Sequence, residues 1–174
     1  MVFARIRLAL LALVALLVST PPLAASDAPL IRLDEPVAVP DFRLPRLNGE
    51  DGSFSDWRGK VVIVNFWVWW CAGCRKELPQ LDELARKLGR KGLAVITVHV
   101  GDGVARAERL ALQLGLDLPV FLDRREKVAY TWGVNRYPTT MIVGRDGKVH
   151  YVVPGVRDWT TPTMLRILLE LLDA

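Results

Sequence analysis

The chain is poor in the side chains that build metal centres and structural cross-links, with two cysteines and two histidines in 174 residues. A structural zinc ion takes about four ligands. Here Cys71, Cys74, His99 and His150 would all have to converge, although the two histidines fall on different predicted strands. Zinc is therefore disfavoured. Covalent haem needs C-x-x-C-H, and Arg75 occupies the place of that histidine. The Thr-x-x-Cys of a peroxidatic site is missing before either cysteine. No run of Lys or Arg is longer than Arg124-Arg125, so the sequence carries no electrostatic footprint for nucleic acid. Internal repeats and low-complexity segments are also missing. The longest apolar run, Leu8 to Val18, has 11 residues. At about 1.5 Å per residue it falls short of a bilayer core roughly 30 Å thick.

That run reads instead as the centre of an export signal over residues 1–25. Arg5 and Arg7 precede it, Ser19-Thr20-Pro21-Pro22 break it, and Ala24, Ala25 and Ser26 follow. Cleavage is the first expectation; an uncleaved anchor using Phe3 to Leu23 is the alternative. The expected location is periplasmic or extracytoplasmic, either soluble or held at the inner membrane by this segment. No acidic residue precedes Asp27, so removing Arg5 and Arg7 leaves 21 basic residues against 19 acidic ones, a net charge of +2. Residues 26–36 read as a linker with little structure before about Val37, and 37–174 as one domain.

The two cysteines are placed for redox chemistry. Cys71-Ala72-Gly73-Cys74 lies between an apolar strand, Val61 to Trp67, and an amphipathic helix pattern from Cys74 to Leu88. That puts the first sulfur at a helix N-terminus, where unpaired N–H groups and the macrodipole favour a thiolate. A bridge closing so small a loop would add little to folding. A dithiol that forms and breaks a disulfide is the reading that follows, with Cys71 the exposed nucleophile and Cys74 the buried resolving thiol. Copper held by the cysteine pair and His99, and a merely structural bridge, are the alternatives.

Several neighbours could serve this site. Glu77, three residues after Cys74, shares its helix face and could take the resolving thiol's proton; the same spacing also suits a solvated glutamate. Asn65 interrupts the apolar strand, either as a partner near the dithiol or as a satisfied buried amide. Pro79 should kink the helix. Pro138, in Tyr137-Pro138-Thr139-Thr140, precedes a strand, where a cis bond fits but is not decided by sequence. Trp67 is expected in the core, and Trp70 could shield the disulfide. His99 suits packing better than catalysis.

Along the chain, Phe42, Leu44 and Asn48-Gly49 suggest a short N-terminal hairpin. Strands are expected at Leu93 to Val100, Leu118 to Leu122, Thr139 to Val143 and Lys148 to Val153, the last two joined by Gly144-Arg145-Asp146-Gly147. Helices are expected at Val104 to Leu114, Asp123 to Trp132 and Trp159 to Leu172, with Thr160 or Thr161 capping the last. Strand-helix alternation followed by a hairpin and a closing helix predicts an α/β fold, a mixed central sheet with helices on both faces.

The chain from 37 to 174 resembles the thioredoxin superfamily, and within it the exported TlpA/ResA-like reductases, the group that includes DsbE/CcmG-type cytochrome c maturation proteins. The resemblance rests on Gly59-Lys60-Val61-Val62-Ile63-Val64-Asn65-Phe66-Trp67, on Trp70-Cys71-x-x-Cys74-x-x-Glu77-x-Pro79, and on Tyr137-Pro138-Thr139-Thr140, in that order. It implies a thioredoxin fold with a helix-strand insertion at 102–122. It implies that Pro138 is a cis-proline facing the disulfide, with the Tyr137 backbone pairing with a substrate chain. It also implies that Glu77 is the acidic residue of the site, and that Asn65 stands where cytosolic thioredoxins have a buried aspartate. The implied activity is thiol:disulfide exchange on exported proteins bearing disulfides, fed by a membrane or periplasmic thiol donor and needing no organic cofactor or metal. Two departures stand out: Ala72-Gly73 lacks the proline common before the second cysteine, and Tyr137 is bulkier than the usual valine or threonine. An oxidant or isomerase would share the same fold and cysteines.

Overall fold

The computed structural model describes residues 27–174. The expected export segment 1–25 lies outside the described residues. Among those described, no helix is long and apolar enough to cross a membrane.

A six-stranded sheet forms the centre, in the order β1 (Ile31–Ala38), β8 (Lys148–Pro154), β7 (Thr139–Val143), β4 (Val61–Trp67), β5 (Leu93–Val100), β6 (Val120–Asp123). β4, β5 and β6 run parallel; β7, β8 and β1 alternate antiparallel from β4 outward. β4 is hydrogen-bonded on both sides and buried along its whole length, which is why its sequence is apolar on both faces. The predicted hairpin is β2 (Arg43–Pro45) against β3 (Asp51–Ser53), with Asn48-Gly49 in its turn. The expected turn at Gly144–Gly147 joins β7 to β8.

Four α-helices complete the described residues: α1 (Ala72–Leu88), α2 (Val104–Leu114), α3 (Lys127–Thr131) and α4 (Pro162–Asp173). α1 and α4 cover one sheet face, packing Leu81, Leu84, Met164 and Leu168 on Val61, Ile63 and Val95. On the opposite face Val62, Val64 and Phe66 meet Phe42, Phe121 and Trp132. This is the mixed sheet between helices that the sequence predicts.

Away from the active-site helix, the structure departs from expectation as follows. Residues 31–38, read as having little structure before about Val37, form edge strand β1. It pairs with β8 in two stretches separated by a register shift between Arg32 and Val37, and Pro36 falls inside that shift, where its missing N–H breaks no ladder bond. β6 begins at Val120 and extends to Asp123 rather than starting at Leu118. α3 is shorter than Asp123 to Trp132, because Asp123 closes β6 and its Oδ2 accepts the Ala129 N–H at 2.8 Å instead. α4 begins at Pro162, capped by Thr161, because Trp159 is spent in the preceding loop.

Candidate active site

β4 delivers the chain to the site. After Trp67 it turns through Val68-Trp69-Trp70, with the Cys71 N–H donating to the Val68 carbonyl at 3.1 Å, and enters α1 with Cys71 as its N-cap. α1 therefore starts at Ala72, two residues before the predicted start, because the cysteine itself caps it. The Cys74 N–H donates to Cys71 Sγ at 3.0 Å. Cys71 and Cys74 are joined in a disulfide, with Cα atoms 5.3 Å apart. Cys71, expected to be exposed, is buried to 7% exposure by its place at the end of β4, and Cys74 to 0%, so of the two only Cys71 keeps any surface toward an incoming thiol. On reduction, the same N–H and the helix N-terminus would favour a thiolate at Cys71.

Beneath the cysteines lies Glu77, 1% exposed. Its Oε1 accepts the Arg157 N–H at 2.5 Å, and its Oε2 accepts a longer bond from Asn65 Nδ2 at 3.5 Å. Asn65 Nδ2 also donates to Thr140 Oγ1 at 2.8 Å across the β4–β7 pair. Asn65 Oδ1 has no partner. Burial pushes the Glu77 carboxyl up to about 7, against the opposing pull of the Arg157 N–H. Glu77 is therefore poised to hold or release a proton near neutral pH, one helical turn from the buried sulfur.

The Tyr137–Pro138 bond is cis, and Pro138 faces the dipeptide between the cysteines: a Cβ placed on Gly73 would lie 3.6 Å from Pro138 Cδ. It would also collide with Val156 Cγ2, so only glycine fits here without moving Val156. Tyr137 is half-buried, and burial raises its hydroxyl pKa. Trp70 stands 62% exposed immediately before Cys71, presenting apolar surface at the site rather than packing away. α1 runs unbroken through Pro79, which lies on its exposed side.

His99 is packed, as expected. It is 0% exposed, with its ring edge-on to Trp67 at 4.9 Å, and neither ring nitrogen has a partner. Burial lowers its pKa to about 4, so the ring is neutral at physiological pH. His150 lies instead against Asp146 at 3.0 Å. Among the described residues no three His, Cys, Asp or Glu side chains are grouped to hold a metal ion.

Two neighbours, Val156 and Arg157, lie outside the sequence motifs, while Trp69 belongs to the aromatic run Trp67-Val68-Trp69-Trp70 before the cysteines. Trp69 turns inward under the Arg106 guanidinium, 4.3 Å from its ring centroid, while its carbonyl accepts from Arg75 Nη2 at 3.2 Å. Val156 covers Gly73, and Arg157 supplies the backbone donor to Glu77. Neither of the last two has a local sequence signal, because both come from a loop far along the chain.

Comparison with known proteins agrees with this geometry. Residues 37–152 match the AhpC/TSA family. The chain is 36% identical over 117 residues, 67% of each chain, to a protein named thiol-disulfide oxidoreductase ResA from Geobacillus thermodenitrificans. It is 33% identical over 117 residues to the ResA of Bacillus subtilis, covering 67% of this chain and 65% of that one. The crystal structure of a thiol:disulfide interchange protein DsbE of Chlorobium tepidum superposes with a TM-score of 0.75 at 29% identity, covering 80% of this chain and 99% of that one. The pneumococcal exposed lipoprotein thioredoxin of Streptococcus pneumoniae gives 0.65 at 33% identity, covering 76% and 100%. On this evidence the chain belongs to the AhpC/TSA family and is a thiol-disulfide oxidoreductase on a thioredoxin fold.

Proposed function

We propose that this protein is an extracytoplasmic reductant that uses Cys71 and Cys74 to reduce disulfides of exported proteins, the haem-binding cysteines of an apocytochrome c among them. The Cys71 thiolate attacks one sulfur of a substrate disulfide; a mixed disulfide forms and one substrate thiolate leaves. Glu77 takes the Cys74 proton. Cys74 then attacks Cys71 Sγ, closing the internal disulfide and releasing the second substrate thiolate. Two electrons have passed to the substrate, and a membrane or periplasmic thiol returns them. The electron pair stays on sulfur throughout, so the exchange calls for no organic cofactor or metal.

The observation that supports this reading is the asymmetry of the pair: Cys71, 7% exposed, on a helix N-cap, and a fully buried Cys74 one turn above a buried carboxyl whose pKa is raised to about 7. Trp70, the Tyr137 backbone and Pro138 would receive the substrate chain, with Asn65 and Pro79 supporting Glu77 and α1. Export follows from the signal-like residues 1–25, cleaved or kept as an anchor. The test is Cys74→Ala, reduced and mixed with an oxidised C-x-x-C-H peptide. The expected product is a stable mixed disulfide at Cys71, seen by mass and on non-reducing gels. No adduct at Cys71 would refute the reading.

A further inference from the structure

The loop between β8 and α4 lies across the active-site helix in a way the exchange reaction does not by itself require. Its inner side touches α1 at three positions on one helix face. Val156 covers Gly73, the Arg157 N–H meets Glu77 Oε1 at 2.5 Å, and the Trp159 N–H donates to Gln80 Oε1 at 2.9 Å. Its outer side is tied to the start of the described chain. The Ala28 N–H donates to the Val156 carbonyl at 2.7 Å, and the Asp158 N–H to Asp27 Oδ1 at 3.3 Å. Gly155, at φ 139°, makes the bend, and a Cβ there would sit 3.0 Å from that of Ala28. The Arg157 side chain locks the two together: Nη1 donates to the Ala28 carbonyl at 2.7 Å, and Nε reaches Met164 Sδ at 3.1 Å.

We propose that Gly155–Asp158 is a strap that positions Glu77, and that Arg157 is the positioning residue that holds it closed against the N-terminal segment. This rests on Glu77 being the acid–base group of the exchange. With the strap closed, the buried carboxylate keeps its one backbone donor, and the dipeptide between the cysteines is covered by Val156. With the strap released, Glu77 retains the long Asn65 bond and the neighbouring Trp159 indole. Of the charged groups, Asp27 of the N-terminal segment adds a small upward push on Glu77, the Arg157 guanidinium is engaged by Ala28 and Met164, and the two cysteines are joined in the disulfide.

The test is the pH dependence of mixed-disulfide resolution in the full chain, for the native protein and for Arg157→Ala, Arg157→Lys, Glu77→Gln and the double variant Glu77→Gln/Arg157→Ala. Releasing the strap costs Glu77 the Arg157 N–H but lets water onto a carboxyl whose upward shift comes chiefly from burial, so Arg157→Ala should move the acid limb downward by about one pH unit. Arg157→Lys, whose ammonium can still reach the Ala28 carbonyl, should restore it. Glu77→Gln should abolish the limb, and adding Arg157→Ala should shift nothing more. A limb lost in Glu77→Gln but unmoved in Arg157→Ala would overturn the strap. A limb that survives Glu77→Gln would overturn the acid–base reading of Glu77, and the strap's role with it. Should Arg157→Ala fail to fold, Ala28→Pro removes the Val156 tie alone, and a 13C titration of the Glu77 carboxyl in the oxidised protein reads the same shift without turnover.

Discussion

Replacing Glu77 by Gln should make the oxidised protein more stable at alkaline pH and leave it nearly unchanged in acid. The carboxyl is pushed from 4.5 to about 7 by burial, with Glu77 only 1% exposed. Between those values the folded chain binds more protons than the unfolded one. The group's contribution is therefore fully present below about pH 4.5, is lost as pH rises through 7, and is level beyond it. A gap of about 2.5 units at about 1.4 kcal/mol each makes the charged form cost about 3 kcal/mol in the fold. Glutamine removes that charge and keeps an oxygen for the Arg157 N–H. Its amide would meet Asn65, whose unpartnered Oδ1 can turn to accept while the Thr140 hydroxyl reverses its role. That rearrangement costs about 1 kcal/mol at either pH and cancels, so the variant should gain about 3 kcal/mol over the native protein at about pH 8 relative to about pH 4. Urea titrations of both oxidised proteins at the two pH values measure the difference directly, since subtraction removes every other titrating group. An equal stability difference at both would refute the claim that Glu77 is strained by its own charge. The same variant should resolve mixed disulfides on the order of a hundredfold more slowly if its proton transfer is rate-setting, a gain of stability against function at one position.

His99 should tilt stability the opposite way. Its pKa is lowered from 6.5 to about 4, so its contribution is present above about pH 6.5 and is lost as pH falls through 4. His99→Leu should thus gain on the native protein at about pH 4 and not at about pH 8, by up to about 3 kcal/mol less any packing loss beside Trp67; chemical denaturation at both pH values checks it, and equal differences would refute it. Cys71→Ser should abolish reduction of a disulfide peptide followed by thiol release, and full turnover would sink the mechanism. Gly73→Ala, at an early helical position where alanine is otherwise favoured by about 1 kcal/mol, should destabilise instead because its Cβ meets Val156. Val156→Ala in the same chain should recover most of the loss, a coupling of about 1 kcal/mol that a double-mutant cycle by thermal unfolding would detect or deny.

Where the sequence was read correctly, the signal was local. β4, β5, α2 and β7 fall where the apolar runs and the helical period place them, because a strand buried on both faces can hardly be written otherwise. The redox pair was legible from its position between strand and helix. Glu77 was legible as a neighbour of Cys74 but not as a buried one, since three-residue spacing places it equally on a solvated face. Its burial depends on Arg157, 80 residues away, and on Asn65. β1 was missed for the same reason: its partners are on β8, its side chains are mostly exposed, and Pro36 hides the strand pattern. The strap carries no motif at all; its meaning comes from backbone N–H groups at Arg157, Asp158 and the adjoining Trp159, and from one arginine, meeting α1 and the N-terminal segment, about 80 and 130 residues away.

The most direct test of the central claim, that Cys71 and Cys74 form a reducing pair, is their equilibrium reduction potential, titrated against a thiol/disulfide buffer and read by the fluorescence of the tryptophans beside them. A value near that of thioredoxin, about −270 mV or lower, is the result predicted for a reductant. A value near about −120 mV, as in DsbA, would contradict it and make this protein an oxidant on the same fold.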